Sequence, residues 1–286
     1  MTSVPNIQAG TLYVVATPIG NLADLSVRAQ QVLSSVDVIA CEDTRHTQRL
    51  LQHLGLRKAL LSVHDHNERD RIEQVASQLS QGRNIALVSD AGTPLISDPG
   101  YPLVQALREL GHNVVPIPGP SAIITALSAA GLPTDRFLFE GFMPHKASGR
   151  RERLAPLAQE TATIVFYESK HRIIETLTLM EECFGPDRLA CVARELTKAF
   201  ETFYHGTLGN IRTQLLADAD QQKGEFVVMV AGNPEPISGS EVDTEKLFKL
   251  LLAELPPKKA AGIIAELTGE NKKVLYQKAL EMQGKV

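Results

Sequence analysis

Cysteine is scarce in this chain, which contains three in 286 residues. Cys41, Cys183 and Cys191 lie far apart and form no Cys-x-x-Cys pair. An odd set without such pairs does not fit a disulfide framework or a structural zinc site. The sequence therefore predicts buried free thiols.

Long apolar runs are also missing, because no stretch reaches the roughly 18 residues that a membrane-spanning helix needs. Residues 1–6 lack the basic and apolar regions of a secretory signal. A hydrophobic fraction of 43% and a charged fraction of 22% are typical of ordinary globular proteins. We therefore expect a cytoplasmic protein without a membrane partner.

A generally basic composition is absent as well, since the formal net charge is -4. This net charge excludes a protein whose whole surface is basic and binds nucleic acid nonspecifically. Any contact with nucleic acid must therefore use local basic patches. Neither Gly-x-Gly-x-x-Gly nor a Gly-Lys-Ser/Thr triplet occurs, and the usual signals for dinucleotides and nucleoside triphosphates are thus missing.

The chain length suggests two domains with room for a small appendage. In the first part, β-rich apolar runs alternate with segments of helical period, which predicts a parallel α/β sheet. The Pro/Gly-dense stretch 116–120 ends this unit, so we predict a first domain over residues 1–118. The predicted strands are Leu12–Ala16, Val36–Ala40, Ala59–Val63, Ile85–Val88 and Val114–Ile117.

A second α/β domain is predicted over residues 119–235, where strands follow one another more closely and favour a mixed sheet. Its predicted strands are Arg136–Gly141, Thr163–Tyr167, Leu189–Ala193, Glu201–Gly206 and Glu225–Ala231. Asn233–Ser240 has the composition of a linker. Residues 241–286 are predicted to form a helical tail with helices at 244–255, 258–267 and 272–283, because proline pairs and Gly269 separate the helical runs. Its lysine pairs fit either a helix-turn-helix that contacts nucleic acid or a solvated helical face.

Two turns at predicted strand ends indicate a ligand site. Ser89–Gly100 follows the apolar run 85–88 directly, and Ala16–Leu22 is a second Pro/Gly turn after the first strand. Open α/β sheets bind ligands at the carboxyl ends of their strands, where such turns can approach a ligand closely. The alternative is that Ser89–Gly100 is only a strand-to-helix connection rich in turn residues.

Titratable side chains cluster after the second and third predicted strands, in Cys41–Thr47 and His64–Glu68. Charged loops are common, but two such clusters at one sheet edge favour proton handling or substrate hydrogen bonding. His64 and His66 have the spacing of a metal pair, yet no third ligand is evident, and we predict no metal site.

Basic residues follow strands of the second half, in Phe166–Arg172 and Ala193–Lys198, and would suit an anionic backbone. His145–Arg153 is expected to be a flexible cationic loop, although its charges could serve solubility alone.

Together these stretches resemble the ribosomal RNA small subunit methyltransferase I family of the tetrapyrrole-methylase superfamily. The resemblance rests on Ala16–Leu22, Glu42–Thr47, His64–Glu68, Ser89–Gly100, Pro118–Ala122, Phe166–Ser169 and Ala193–Lys198, and it runs from about Thr11 to Gly232. It implies the two-domain α/β fold of class III methyltransferases with a small C-terminal helix-turn-helix domain. It further implies a homodimer that uses S-adenosyl-L-methionine to methylate a cytidine ribose 2'-hydroxyl in the decoding region of 16S rRNA, in the 30S subunit.

The resemblance also implies a cofactor pocket in the cleft between the two α/β domains. By position, its residues are Pro18, Ile19, Asp90, Gly92, Thr93, Ser121, Ala122, Tyr167, Leu196 and Gly232.

A ribose hydroxyl is a poor nucleophile, so a positioned proton acceptor should assist the reaction. The catalytic candidates are Glu42, His66, His64 and Glu68, with Glu42 and His66 favoured. Residues expected to contact the RNA are Asp43, Arg45, Asn67, Lys146, Arg150, Arg151 and Lys170. Two other functions remain open at this point: a tetrapyrrole or other small-molecule methyltransferase, and a non-catalytic protein that binds the cofactor or the ribosome.

Overall fold

The computed structural model describes residues 8–234 and 244–282 of the chain. The chain divides into two compact units, Met1–Gly232 and Asn233–Val286. Residues 235–243 and 283–286, which include most of the predicted linker and the end of the last predicted helix, lie outside the described residues. None of the helices in the two described ranges has the length and apolar character that a bilayer crossing requires.

The first sheet of the larger unit is parallel throughout, as the alternating pattern predicted, with strand order β3-β2-β4-β1-β5. Its elements are β1 Thr11–Val15, α1 Val27–Ser35, β2 Val38–Cys41, α2 Thr44–His53, β3 Ala59–Ser62, α3 Glu68–Ser80, β4 Ile85–Val88, α4 Tyr101–Glu109 and β5 Asn113–Ile117. Every residue of β2 and β4 is buried, as expected for strands with helices on both faces. The polar segments that follow these strands therefore meet at one edge.

The second sheet is mixed, also as predicted, with order β6-β7-β10-β8-β9 and a single parallel pair, β6 and β7, among its described strands. Its elements are α5 Ala122–Ala129, β6 Phe137–Phe142, α6 Ala147–Leu157, β7 Thr163–Ser169, α7 Ile173–Phe184, β8 Leu189–Arg194, β9 Thr202–Thr207, α8 Leu208–Ala217 and β10 Glu225–Val230. One face buries Phe166 and Val228 beneath α7 and α8, while the other buries Val165 and Val227 near α5. Alternate residues of one strand thus supply both cores.

The expectation of a flexible loop at 145–153 is wrong, because most of this segment lies in helix α6. Arg150 is 1% exposed and pairs with Glu175, while Arg151 pairs with Glu182. Carboxylates distant in the sequence pair with these cations. The run of basic residues by itself does not indicate these partners.

The described residues of the smaller unit form three helices: α9 Thr244–Glu254, α10 Pro257–Thr268 and α11 Lys272–Met282. They enclose a core that includes Phe248, Ile264 and Leu275. Gly269 ends α10 in the left-handed conformation at φ +73°, which explains the break that the sequence predicted there.

Candidate functional site

The two ligand turns predicted at the sheet edge lie side by side. The Thr17 N–H donates to the Gly92 carbonyl at 2.8 Å, and the Gly92 N–H donates to the Thr17 carbonyl at 3.0 Å. Thr17 Oγ1 also donates to the Ser89 carbonyl at 3.2 Å. Because β1 and β4 are neighbouring parallel strands, their carboxyl ends bring the turns together.

A cleft of about 1010 Å³ opens beside these turns and is lined by residues from both sheets. One wall carries the segment after β4, and the other carries the ends of β7, β8 and β10. Most of the predicted cofactor residues line it: Ile19, Asp90, Gly92, Thr93, Ser121, Ala122, Tyr167 and Leu196. Residues distant in sequence therefore form one concave site.

Pro18 and Gly232 are not among the residues that line this cleft. Pro18 borders a smaller cavity of about 130 Å³, which shares Asp90 with the large cleft. At Gly232, an added Cβ would lie 1.9 Å from the carbonyl oxygen of Thr161. Close backbone packing thus explains this glycine without a ligand.

Replacing Gly232 with alanine is expected to lower the free energy of unfolding by roughly 1–3 kcal/mol, the usual cost of forcing atoms into a packed site. Chemical denaturation of the two proteins measures this difference. If Gly232 were required only for cofactor binding, the alanine variant would keep the wild-type free energy of unfolding and would bind the cofactor more weakly.

Two cleft segments contain non-glycine residues in the left-handed conformation. Leu95 and Ser97 have φ of 74° and 66°, and Glu195 and Thr197 have φ of 51° and 63°. Such conformations cost energy and concentrate at functional sites. They occur here on opposite walls of one cleft, in two of the stretches singled out from the sequence.

The first turn also contacts the loop after β8. The Asn21 N–H donates to Thr197 Oγ1 at 3.1 Å, and Lys198 Nζ bonds Glu195 Oε1 at 2.9 Å and Glu225 Oε2 at 2.7 Å. Burial alone would raise the pKa of Glu195, but the hydrogen bonds from Lys198 and the Glu225 N–H lower it. The contact therefore joins an ionised cluster on the second sheet to the turn that follows β1.

Carboxylates gather on the wall formed by the first sheet. Burial, followed by the charges of Asp90 and Asp98, raises the pKa of Glu42. Burial also raises the pKa of Asp98 to about 6, although a hydrogen bond from Ser89 opposes the shift. Asp98 lies in the predicted ligand turn Ser89–Gly100 but is not one of the site residues predicted from the sequence. Its burial beside other carboxylates, in a segment with left-handed backbone, distinguishes it from an ordinary turn aspartate.

Glu42 itself does not line the cleft, and neither do the other catalytic candidates, His64, His66 and Glu68. His64 is half-buried, and Asn67 Nδ2 donates to its Nε2 at 3.1 Å. His66 is exposed, with its ring centroid 6.0 Å from that of His64. Glu68 is buried and accepts the Gly100 N–H at 2.7 Å, which favours a structural role for this carboxylate.

Some of the predicted RNA contacts form ion pairs, and others form none with the part of the chain that the structure describes. Asp43 caps α2 and binds the exposed Arg45, whose hydrogen bonds lower the pKa of Asp43 to about 2. Arg150 is buried and donates to the His145 carbonyl at 3.1 Å, so a phosphate contact there would need rearrangement. Lys146 is exposed at the start of α6, and Lys170 lines the cleft.

Metal ligation has no structural support in the described ranges 8–234 and 244–282. No group of three or more His, Cys, Asp or Glu side chains there has the arrangement of a metal site.

Comparisons with known proteins agree with this architecture. The sequence profile described as Tetrapyrrole (Corrin/Porphyrin) Methylases matches residues 11–212, and that described as RsmI C-terminal HTH domain matches residues 238–283. The chain is 53% identical to ribosomal RNA small subunit methyltransferase I of Pseudomonas aeruginosa, over 98% of this chain and 100% of the relative. It is 51% identical to the protein of that name from Escherichia coli O157:H7, over 96% of each chain. The crystal structure of the methyltransferase CobJ has a TM-score of 0.59 at 22% identity, covering 78% of this chain and 95% of that chain, which shows a shared fold.

Proposed function

Because the chain belongs to the ribosomal RNA small subunit methyltransferase I family, we propose that it methylates 16S rRNA. The methyl group would pass from S-adenosyl-L-methionine to the 2'-hydroxyl of a cytidine ribose in the decoding region. A ribosomal substrate would place the enzyme in the cytoplasm. The cleft shared by both sheets carries this proposal, since it joins the ligand turns to the carboxylate-rich wall.

The cleft residues fit S-adenosyl-L-methionine by their chemistry. The Asp90 and Asp98 carboxylates are complementary to its sulfonium and ammonium groups, and either can accept a hydrogen bond from ribose hydroxyls. Ile19 and Leu196 supply apolar surface for an adenine ring. Ser121, whose side chain makes no capping bond at the start of α5, would hold the methionine carboxylate with the first helical N–H groups.

The bound cofactor would supply an already activated methyl group. The protein therefore has to align the ribose hydroxyl with that carbon and exclude water. The charges of Asp90 and Asp98 in the cleft raise the pKa of Glu42 further, after burial, and we place this residue beside the target nucleotide. His64, with Nε2 held by Asn67, would position the loop that carries His66.

Methyl transfer to small ribosomal subunits tests the proposal. Labelled S-adenosyl-L-methionine is added to subunits from a strain that lacks the enzyme, and the product is mapped by cleavage sensitive to 2'-O-methylation. Label on one decoding-region ribose is the expected result. Donor binding without transfer to subunits or free rRNA would instead favour a small-molecule substrate or a non-catalytic binding role.

Lys170 is the predicted phosphate contact that lines the cleft without an ion-pair partner among the described residues. Substituting alanine should weaken subunit binding several-fold and reduce the slope of log K against log salt by about 1, because one phosphate contact is lost. Equilibrium binding at several salt concentrations measures both effects. Arg83 is an exposed cation just before β4, whose other end leads into the cleft. Its alanine variant is the matched control. Equal salt slopes for the two alanine variants would contradict the assignment.

We further propose a homodimer, as the family resemblance implies. Light scattering on the purified protein should give twice the chain mass of 31.2 kDa.

A further inference from the structure

Phe142, the last residue of β6, presents an exposed aromatic ring at the cleft. It is 56% exposed and lines the cavity. Phe142 is not among the residues that the family resemblance implies for the cofactor pocket. A single exposed ring is common on protein surfaces, and its meaning depends on how the ring is placed.

A shift in strand register turns Phe142 toward the cleft. Phe139 pairs with Val165 of β7, and Phe142 pairs with Tyr167, so β6 accommodates one extra residue between the two pairs. Gly141 has φ of 69°, a left-handed conformation that glycine adopts readily at such a bulge. In a regular strand, side chains three positions apart point to opposite faces. The bulge instead places Phe139 and Phe142 on one face, where both rings contact Tyr167.

The ring of Phe142 is the outer member of an anchored aromatic cluster. Its centroid lies 5.3 Å from that of Tyr167, whose ring also packs against Phe139 at 5.0 Å. Met143 is 2% exposed, and its carbonyl accepts Arg172 Nη1 at 3.0 Å, which holds the backbone directly after the ring. A ring that is already fixed loses little conformational entropy when a ligand stacks on it.

The charges near Phe142 match a single RNA strand. Lys170 lines the same cavity, and Lys146 is exposed in the segment that follows the ring. Proteins bind single-stranded nucleic acid with aromatic rings on which bases stack and with cations that contact the phosphates. The cavity of about 1010 Å³ is at the upper end of the range for sites that bind one small molecule, which leaves room for part of a second ligand beside the methyl donor.

We propose that an unpaired base of the substrate rRNA stacks on Phe142 as the strand enters the cleft, an inference that rests on the proposed function. Lys170 would bind a phosphate of the same strand. Every base has a π face, so stacking of this kind tolerates different bases. Phe142 therefore supplies affinity for the strand, and the choice of the target ribose depends on other groups.

Phe142→Ala tests this role because it removes the ring from an exposed position. The KM for small ribosomal subunits should rise roughly 5- to 30-fold, the lower half of the usual loss for one stacked base. The kcat and the calorimetric affinity for S-adenosyl-L-methionine should each stay within about threefold, since the ring holds the ground state and the transition state alike.

Two further substitutions and a control separate stacking from apolar bulk. Phe142→Tyr keeps an aromatic face and should keep a KM near that of wild type. Phe142→Leu keeps only apolar bulk and should resemble Phe142→Ala. Phe137 lies at the other end of β6, is 43% exposed and does not line the cleft. Its alanine variant is the matched control and should have the wild-type KM.

The absence of tryptophan from the chain allows a test that does not depend on activity. In Phe142→Trp, the introduced indole should lose fluorescence when small subunits are added without the methyl donor, because a stacked base quenches its emission. The same mixture with the wild-type enzyme gives the background. Phe137→Trp should keep its emission.

Several results would overturn the inference while leaving the proposed function intact. These are a wild-type KM for Phe142→Ala, an equal rise in KM for Phe137→Ala, or unchanged emission of Phe142→Trp. A fall in donor affinity that accounts for the lost activity would assign the ring to the cofactor, and a halved mass in light scattering would assign it to a dimer contact; either result also overturns the inference. Absence of transfer by the wild-type enzyme would overturn the proposed function as well. If Phe142→Ala fails to fold, the Phe142→Leu and Phe142→Trp proteins decide the question.

Discussion

Replacing Glu168 with alanine is expected to lower the free energy of unfolding by about 3–5 kcal/mol, the usual cost of removing one partner from a buried ion pair. Glu168 is 2% exposed and pairs with Arg172 Nη2 at 2.9 Å. Its carboxylate also accepts hydrogen bonds from the Ser169 N–H and Thr176 Oγ1, each at 2.7 Å. The truncation leaves all of these donors without this acceptor at a buried site.

Urea denaturation of wild type and Glu168→Ala measures the loss. Glu168→Gln keeps a carbonyl oxygen for the Ser169 N–H and should be less destabilised. Glu152 is exposed on α6, and its alanine variant should stay within about 0.5 kcal/mol of wild type. Equal stability of the Glu168→Ala and Glu152→Ala proteins would show that the buried carboxylate does not stabilise the fold.

Asp90→Ala is expected to weaken binding of S-adenosyl-L-methionine by about 10- to 100-fold, since a hydrogen bond to a charged group contributes about 1.5–3 kcal/mol. Asp90 lines both cavities, and its Oδ1 accepts the Asp43 N–H at 3.1 Å. The alanine variant thus loses a carboxylate opposite a cationic ligand as well as a link between the ends of β4 and β2.

Calorimetric titration with the cofactor measures this effect. Asp90→Asn keeps an oxygen for the Asp43 N–H but loses the charge, so it separates the two contributions. Asp135 is exposed outside the cleft, and its asparagine variant is the matched control. Affinity for the cofactor that is the same in Asp90→Ala and wild type would exclude Asp90 from the binding site.

The sequence predicted the two sheets well because their signals are local. Continuous apolar runs such as Ile85–Val88 and the proline-rich stretch 116–120 mark strands and their ends without reference to the rest of the chain. The convergence of Thr17 and Gly92 was also predictable, because parallel strands place their carboxyl ends at one edge. Most of the implied cofactor residues line one cleft for this reason.

Some of the predicted site residues have partners that the sequence does not identify. Arg150 belongs to a run of cationic residues in the sequence, yet it forms an ion pair with Glu175 on α7. Glu68 belongs to a titratable cluster, yet its carboxylate binds a backbone N–H in the segment after β4. Which charges are neutralised depends on how helices pack, and residues far apart in the chain make those contacts.

By itself the sequence determined the element order, the sheet edge that carries the ligand turns, and the family to which the chain belongs. Local periodicity, turn chemistry and short motifs are sufficient for these properties. Only the tertiary structure decided which titratable groups face the cleft and which form ion pairs or hydrogen bonds that stabilise the fold. Burial, left-handed backbone and neighbouring carboxylates distinguish Asp98 from the other acidic turn residues. Those properties arise when distant segments pack together, because desolvation and charge proximity depend on three-dimensional distance.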